Sequence, residues 1–322
     1  MSMTHASTPL VSLDAMREAH SAVAPRIHRT PVMGSTYLGT RAGARVALKL
    51  ELFQKTGSFK VRGVLNTLRQ LTDDERARGV ISLSAGNHAQ ALAWGASQYG
   101  VAVTIVMPAT ALASKVAATR EYGGTVIQTD GDLLATALEL QRERGLTLVH
   151  PFDDLRVIAG QGTVGLEILE QVPDATVIVI ACGGGGLISG VAAAIKQSRP
   201  DIRIVGVEPA GADAMTRSLA AGSPQRLASM NTIADGLAAP FVGVHTLAHC
   251  QAFVDEWHVV PDDEIVLGMR ALMERCKLFP ETAAGAAIVP LLTNRLSLHA
   301  SDVVVPIVCG GNIDIERMKS LL

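Results

Sequence analysis

The stretch "TVIVIACGGGGLISG", residues 176–190, sets an unbroken run of β-branched and small apolar residues directly before four glycines and a segment of helical period. Apolarity that is continuous rather than alternating marks a strand covered on both faces, as in parallel sheets. Comparable runs recur at 45–52, 79–84, 101–108, 124–129, 146–150, 202–208 and 302–309. Segments of helical period lie between them at 87–99, 111–121, 132–144, 160–171, 187–197 and 263–276. Strand and helix in regular alternation predict an α/β fold with mainly parallel sheets. About eight buried strands with their helices exceed one core of average size, so two packed α/β lobes are expected, with a ligand cleft where they meet.

The 322 residues are 48% hydrophobic and 18% charged, with a formal net charge of -2. Neither sign is gathered into long blocks, which argues against nucleic acid or an anionic membrane as partner and favours a small molecule. The four cysteines, Cys182, Cys250, Cys276 and Cys309, are widely spaced with no C-x-x-C pair, which suits a reducing cytoplasm rather than a zinc site or disulfide framework. The opening "MSMTHASTPL" lacks a basic segment followed by an apolar core, and no apolar run approaches the roughly 18 residues that span a bilayer. A soluble, unexported chain is expected.

Ligands of open α/β sheets gather at the C-terminal ends of strands, so unusual residues there carry the functional signal. In "GGGGLISG" (183–190), backbone N–H groups can converge on an anion beside a helix N-terminus, and a phosphate fits. A tight strand-to-helix turn would need fewer glycines, and the G-x-G-x-x-G context of a dinucleotide site is lacking. In "SLSAGNHAQ" (82–90), Ser84, Ala85, Gly86 and Asn87 lead into a helix, either as an anion site or as ordinary N-capping. In "VVVPIVCGGNID" (303–314), Cys309 taken alone is a small buried hydrophobe. A lone lysine such as Lys60 in "QKTGSFKVRG" (54–63) would ordinarily be a solvated cation.

Taken together, "KTGSFKVRG" (55–63), "SAGNHAQ" (84–90), "HPFDD" (150–154) with "VIAGQGT" (157–163), "GGGGLISG" and "CGGN" (309–312) resemble, in order and approximate spacing, the serine/threonine dehydratases. These belong to the fold-type II pyridoxal-phosphate enzymes, the tryptophan synthase β-like group, which also includes serine racemase and, more remotely, cysteine synthase. The resemblance runs from "RTPV" (29–32) to the end of the chain. It implies that Lys60 holds pyridoxal 5'-phosphate as a Schiff base, with Phe59 beside the ring. Gly183, Gly184, Gly185, Gly186 and Leu187 would form the phosphate loop, Asn87 would bond the 3-oxygen, and Cys309 would face the pyridine nitrogen. Ser84, Ala85, Gly86, Asn87 and His88 would form the substrate-carboxylate site. The resemblance also implies a large lobe of residues 1–75 and 151–322, a small lobe inserted at 76–150, the cofactor in the cleft between them, and a homodimer.

The chemistry agrees with those residue types. A buried lysine amine is neutral enough to form an imine and later to take a Cα proton. A thiol at 309, unlike a carboxylate, would not keep the pyridine nitrogen protonated, which favours β-elimination over transamination. Racemisation needs a second acid on the opposite face, which the family's racemases take from a serine where this chain has Ala85; a methyl carries no proton. The expected function is therefore a dehydratase, or ammonia-lyase, converting a 3-hydroxy amino acid such as L-threonine or L-serine to a 2-oxo acid and ammonia. Serine racemase and 3-hydroxyaspartate dehydratase are the alternatives, with a non-catalytic amino-acid sensor as the second.

Glu208 is the one weak candidate for a metal ligand. Pro209 follows it, but Ala214 occupies the place of the second acid, with Asp213 one step early, so a cation is not supported. Glu281 in "FPETAAG" (279–285) either lines the site or caps a helix, and Arg156 meets an acidic substrate or water. His88, His150 and "ADGLAAP" (234–240) are expected to be structural. The chain ends soon after "CGGN", where biosynthetic threonine dehydratases append a regulatory domain, so a catabolic role is expected.

Overall fold

The computed structural model describes residues 8–322. The expectation that the opening residues hold no leader falls largely on residues 1–7, outside the described part. Along the chain the strands are β1 (Val32–Gly34), β2 (Arg45–Leu50), β3 (Val80–Leu83), β4 (Val103–Pro108), β5 (Thr125–Thr129), β6 (Thr147–Leu148), β7 (Val177–Ala181), β8 (Arg203–Pro209), β9 (Glu256–Val260) and β10 (Val303–Val308). They form a six-stranded sheet in the order β1-β2-β10-β7-β8-β9 and a four-stranded sheet in the order β5-β4-β3-β6. Every neighbouring pair is parallel except β1 with β2. Parallel strands joined through helices bury both faces, which is why the central strands read as unbroken apolar runs.

The eight predicted strands are all present, although the run at 146–150 yields only Thr147–Leu148 as strand. The two that composition did not reveal, β1 and β9, lie at the two ends of the large sheet. They are only partly covered, so β9 mixes Glu256 and His258 with apolar residues. The helix predicted to start at 160 begins at Leu155, because the Asp154 carboxylate accepts from the Arg156 N–H and caps it. Among the described residues no helix is long and apolar enough to cross a membrane.

Three helices meet almost backbone to backbone. A Cβ on Gly160, in the helix Leu155–Gln171, would lie 2.5 Å from the carbonyl oxygen of Arg62, in the helix Lys60–Leu68. A Cβ on Gly190, in the helix Gly186–Ser198, would lie 2.3 Å from the carbonyl oxygen of Ile158. Glycine is required at both places by the close approach alone. The Lys60 helix and the helix that follows the glycine loop are thereby locked to the same central helix.

A buried ionic cluster fixes the same joint. Arg62 donates through Nε and Nη2 to Glu51, at 2.8 Å each, and through Nη1 and Nη2 to Glu167, at 2.7 and 2.9 Å. Lys49 Nζ donates to Glu167 at 2.5 Å and to the Thr30 carbonyl at 2.9 Å. All four charged groups are shielded from water, and two cations face two carboxylates. Burial pushes the Lys49 amine down against the pull of Glu51 and Glu167; burial likewise pushes the Glu167 carboxyl up, but hydrogen bonds and charge from Arg62 hold it below its ordinary value. Removing one member of such a group strands its partners without solvent. Arg62→Ala is expected to lower unfolding stability by about 3–5 kcal/mol in a denaturant titration. Arg62→Lys should recover only part of it, since an ammonium cannot reproduce the fork.

Candidate active site

The site is built where β2, β3, β7 and β10 run into their loops. Beyond β10 the chain lies along the segment before Lys60. The Phe59 N–H donates to the Cys309 carbonyl (3.2 Å), the Gly311 N–H to the Gly57 carbonyl (2.9 Å), and Ser58 bridges Gly310. The Asn312 side chain donates to the Thr56 carbonyl at 2.6 Å. Gly57 has φ 71, and a Cβ there would lie 2.4 Å from Asn312 Oδ1, so both backbone and space demand glycine. This pairing delivers Lys60 as the first residue of its helix.

Lys60 Nζ donates to the Pro151 carbonyl at 3.0 Å and lies 5.2 Å from the centre of the Phe59 ring. The residue keeps some opening to the cleft, yet burial lowers its pKa to about 8 against the opposing pull of Cys309 and Glu281. A substantial fraction of the amine is thus neutral near physiological pH. The Cys309 thiol is pushed well above its ordinary value by burial and then by Glu281, so it is neutral as well.

The glycine loop follows β7. None of the N–H groups of Gly183 to Ile188 has a partner among the described residues, and they open the helix Gly186–Ser198. Such N–H groups, with the helix dipole behind them, form an anion cradle. A Cβ at Gly183 would crowd the backbone of Leu237, and one at Gly184 would lie 2.3 Å from the Phe152 ring. The "HPFDD" segment therefore borders both features, with the Pro151 carbonyl on the lysine and Phe152 against the glycines. Composition gave Pro151 and Phe152 no role, and their place inside a recognised motif was the only signal.

The asparagine loop follows β3. Ser84 Oγ accepts from the Gly86 N–H at 3.1 Å, and a Cβ at Gly86 would meet nothing within 4 Å, so this turn borders open space. Ala85 packs its methyl against the core of the small sheet. His88 turns its ring inward, with Nε2 3.0 Å from Ser82 Oγ and 3.3 Å from the Val149 carbonyl oxygen. Burial, then Lys60, depresses its pKa to about 3, so its ring is neutral and is held by Ser82 and Val149 rather than offered to the expected substrate site.

Glu281 joins this group from a distant part of the chain. Its position is the N-cap of the helix Thr282–Ala286, yet its side chain makes no capping bond; both carboxylate oxygens lie 2.9 Å from Asn87 Nδ2. Burial pushes its pKa up to about 7 against Asn87, Lys115 and Lys60. Gly236 of "ADGLAAP" packs over the same carboxyl, so that segment borders the cleft. Glu208 has a different use: its oxygens accept from the Met215 N–H (2.9 Å), the Thr216 N–H (2.7 Å) and Thr216 Oγ1 (2.7 Å), at the start of the helix Ala214–Ala221. Among the described residues no group of three or more His, Cys, Asp or Glu could hold a metal ion. Arg156 is tied to Asp154, with Nη2 2.7 Å from Oδ2.

Residues 23–310 match the family model of the pyridoxal-phosphate dependent enzymes. An L-threonine ammonia-lyase of Thermotoga maritima is 40% identical over 317 residues, 97% of this chain and 78% of that protein. A serine racemase of Oryza sativa subsp. indica is 42% identical over 94% of this chain and 91% of its own length. The structure of maize serine racemase superposes with a TM-score of 0.92 at 41% identity, covering 97% of each chain. The chain belongs to the pyridoxal-phosphate dependent enzymes.

The residues present fit that cofactor. The unpartnered N–H groups at 183–188 suit a phosphate, and a Lys60 amine with its pKa lowered to about 8 suits an aldehyde. In the cofactor-free protein, labelling of Lys60 by an amine-reactive reagent should rise with a midpoint near pH 8, below the ordinary lysine value of 10.5, because the unreactive ammonium is lost at lower pH. Peptide mass analysis across pH checks this. Gly184→Ala should weaken cofactor affinity by about tenfold, or about 1.4 kcal/mol, in an equilibrium titration, and adding Phe152→Ala should restore part of it by removing the ring that the new methyl meets.

Proposed function

We propose that this enzyme eliminates water from a 3-hydroxy amino acid, serine or threonine, and that a water molecule then hydrolyses the resulting imine to give a 2-oxo acid and ammonia. The observation that carries the reading is the Lys60 amine, its pKa lowered to about 8 and its Nζ held on the Pro151 carbonyl, with a neutral thiol at Cys309 in the same site. The N–H groups of the glycine loop would hold the cofactor phosphate, and the turn at Ser84–Asn87 would hold the substrate carboxylate at a helix N-terminus. When bound, pyridoxal phosphate supplies the electron sink that acidifies the substrate Cα–H. Lys60 Nζ, in its neutral form, would take that proton, and the Pro151 carbonyl would steady the amine for the transfer. The phobic packing of Phe152 against the glycines limits water at this end of the cleft.

Racemisation is the second reading, favoured by the similarity to proteins named serine racemase. Ala85 weighs against it, because the family resemblance puts a serine at this position in racemases and a methyl carries no proton. An acidic substrate such as 3-hydroxyaspartate is disfavoured by the commitment of Arg156 to Asp154. A sensor would not need the depressed amine of Lys60. We place the small lobe at 76–150, on the strength of β3 to β6, and the large lobe on either side of it. Four unpaired, buried cysteines are in keeping with a reducing cytoplasm, and the homodimer rests on family resemblance.

Ammonia and 2-oxo acid release should be measured across a panel of 3-hydroxy amino acids, with chiral analysis of the serine left over. Activity with L-threonine or L-serine is expected, with little D-serine; D-serine formation as fast as pyruvate would overturn the reading. Ala85→Ser should raise the racemisation-to-elimination ratio at least tenfold, equivalent to about 1.4 kcal/mol between the two paths.

A further inference from the structure

Asn87 is held on two sides by side chains far from it in sequence. Its Oδ1 accepts from Asn312 Nδ2 at 2.8 Å, and its Nδ2 lies 2.9 Å from both oxygens of Glu281. The two oxygens of one carboxylate subtend a narrow angle at that nitrogen, whereas the two hydrogens of an amide diverge, so a single N–H serves both oxygens. The other N–H has no partner among the described residues. Asn312 is fully committed: its second N–H goes to the Thr56 carbonyl at 2.6 Å, in the segment that precedes Lys60.

We propose that Glu281 and Asn312 are positioning residues that lock the Asn87 carboxamide in one orientation and so present its remaining N–H to the ring oxygen of the cofactor. A flipped Asn87 would set its oxygen against the buried Glu281 carboxylate and its N–H₂ against the N–H₂ of Asn312, two repulsive contacts. Because Asn312 also grips Thr56, the clamp sets the distance between the ring-oxygen donor and the lysine that holds the cofactor's aldehyde carbon. Space is closed around it as well: a Cβ at Gly310 would lie 2.5 Å from Glu281 Oε1. The groups facing the Glu281 carboxyl are Asn87, Lys60 and Lys115, the Asn312 backbone N–H, and the Cys309 thiol. The ionised carboxylate enforces the orientation; once protonated, Glu281 can donate, and the enforcement weakens.

The inference rests on the proposed use of the cofactor, but its test reads cofactor binding rather than turnover, so it stands or falls separately from the reaction assigned above. Pyridoxal phosphate is titrated into cofactor-free wild type, Asn87→Ala, Glu281→Gln and the double variant, and the visible absorbance of each loaded protein is followed across pH. Glu281→Gln keeps the size of the side chain but allows either amide orientation. It is expected to weaken affinity about tenfold, or about 1.4 kcal/mol, and to shift the pH profile of the visible band. In the Asn87→Ala background the same substitution should add almost nothing, because both act through one carboxamide. A full additional loss in that background, or unchanged affinity and pH profile in Glu281→Gln, would overturn the proposal. If Glu281→Gln does not fold, Asn312→Ala takes its place in the same cycle with the same expected and overturning results.

Discussion

Arg62 spends its planar fork on two carboxylates and a hydroxyl, all out of water, and the position of Lys60 two residues earlier depends on that anchorage. Glu51 follows directly on β2, Glu167 lies on the helix Leu155–Gln171, and Arg62 sits on the helix that starts with Lys60. Three elements are therefore referenced to one guanidinium. Such a cluster contributes little net stability over an apolar core of the same volume. Its geometry is demanding, however, and a site that must hold a nucleophile to a fraction of an ångström benefits from directional bonds beneath it.

Burial acts in the same sense on four groups around the cleft. It lowers Lys60 and His88, raises Glu281 and Cys309, and so moves each toward its neutral form. The polarity that remains is supplied mainly by backbone dipoles, at the glycine loop and at the start of the helix Asn87–Tyr99. Fixed dipoles need not reorganise during reaction, and they carry no proton that a change of pH could remove.

The central strands were legible because both of their faces are covered, which turns burial into an unbroken apolar run; β1 and β9, covered on one side, carry no such mark. The glycines and Asn87 could be singled out because they follow β7 and β3 at strand ends where ligands gather, whereas Lys60, well beyond the end of β2, stood out only within its motif. Arg62 and Lys49 were not, because charged residue types read as surface and their burial depends on a partner as distant as Glu167, 105 positions beyond Arg62. Glu281 was undecided between a helix cap and a site residue; the chain indeed puts it at an N-cap position, and only its contact with Asn87, 194 positions away, shows where the carboxyl points.

The near-contact of three helix backbones at Gly160 and Gly190 leaves no room for a side chain at either position along that seam. For a lineage acquiring a new substrate, the seam is silent ground: almost any mutation there would be lost with the fold before selection could act on its chemistry. Change is left instead to positions such as Ala85, in a turn that borders open space, where a side chain can differ without moving a helix. One scaffold can in this way be inherited unchanged while its reactions diverge.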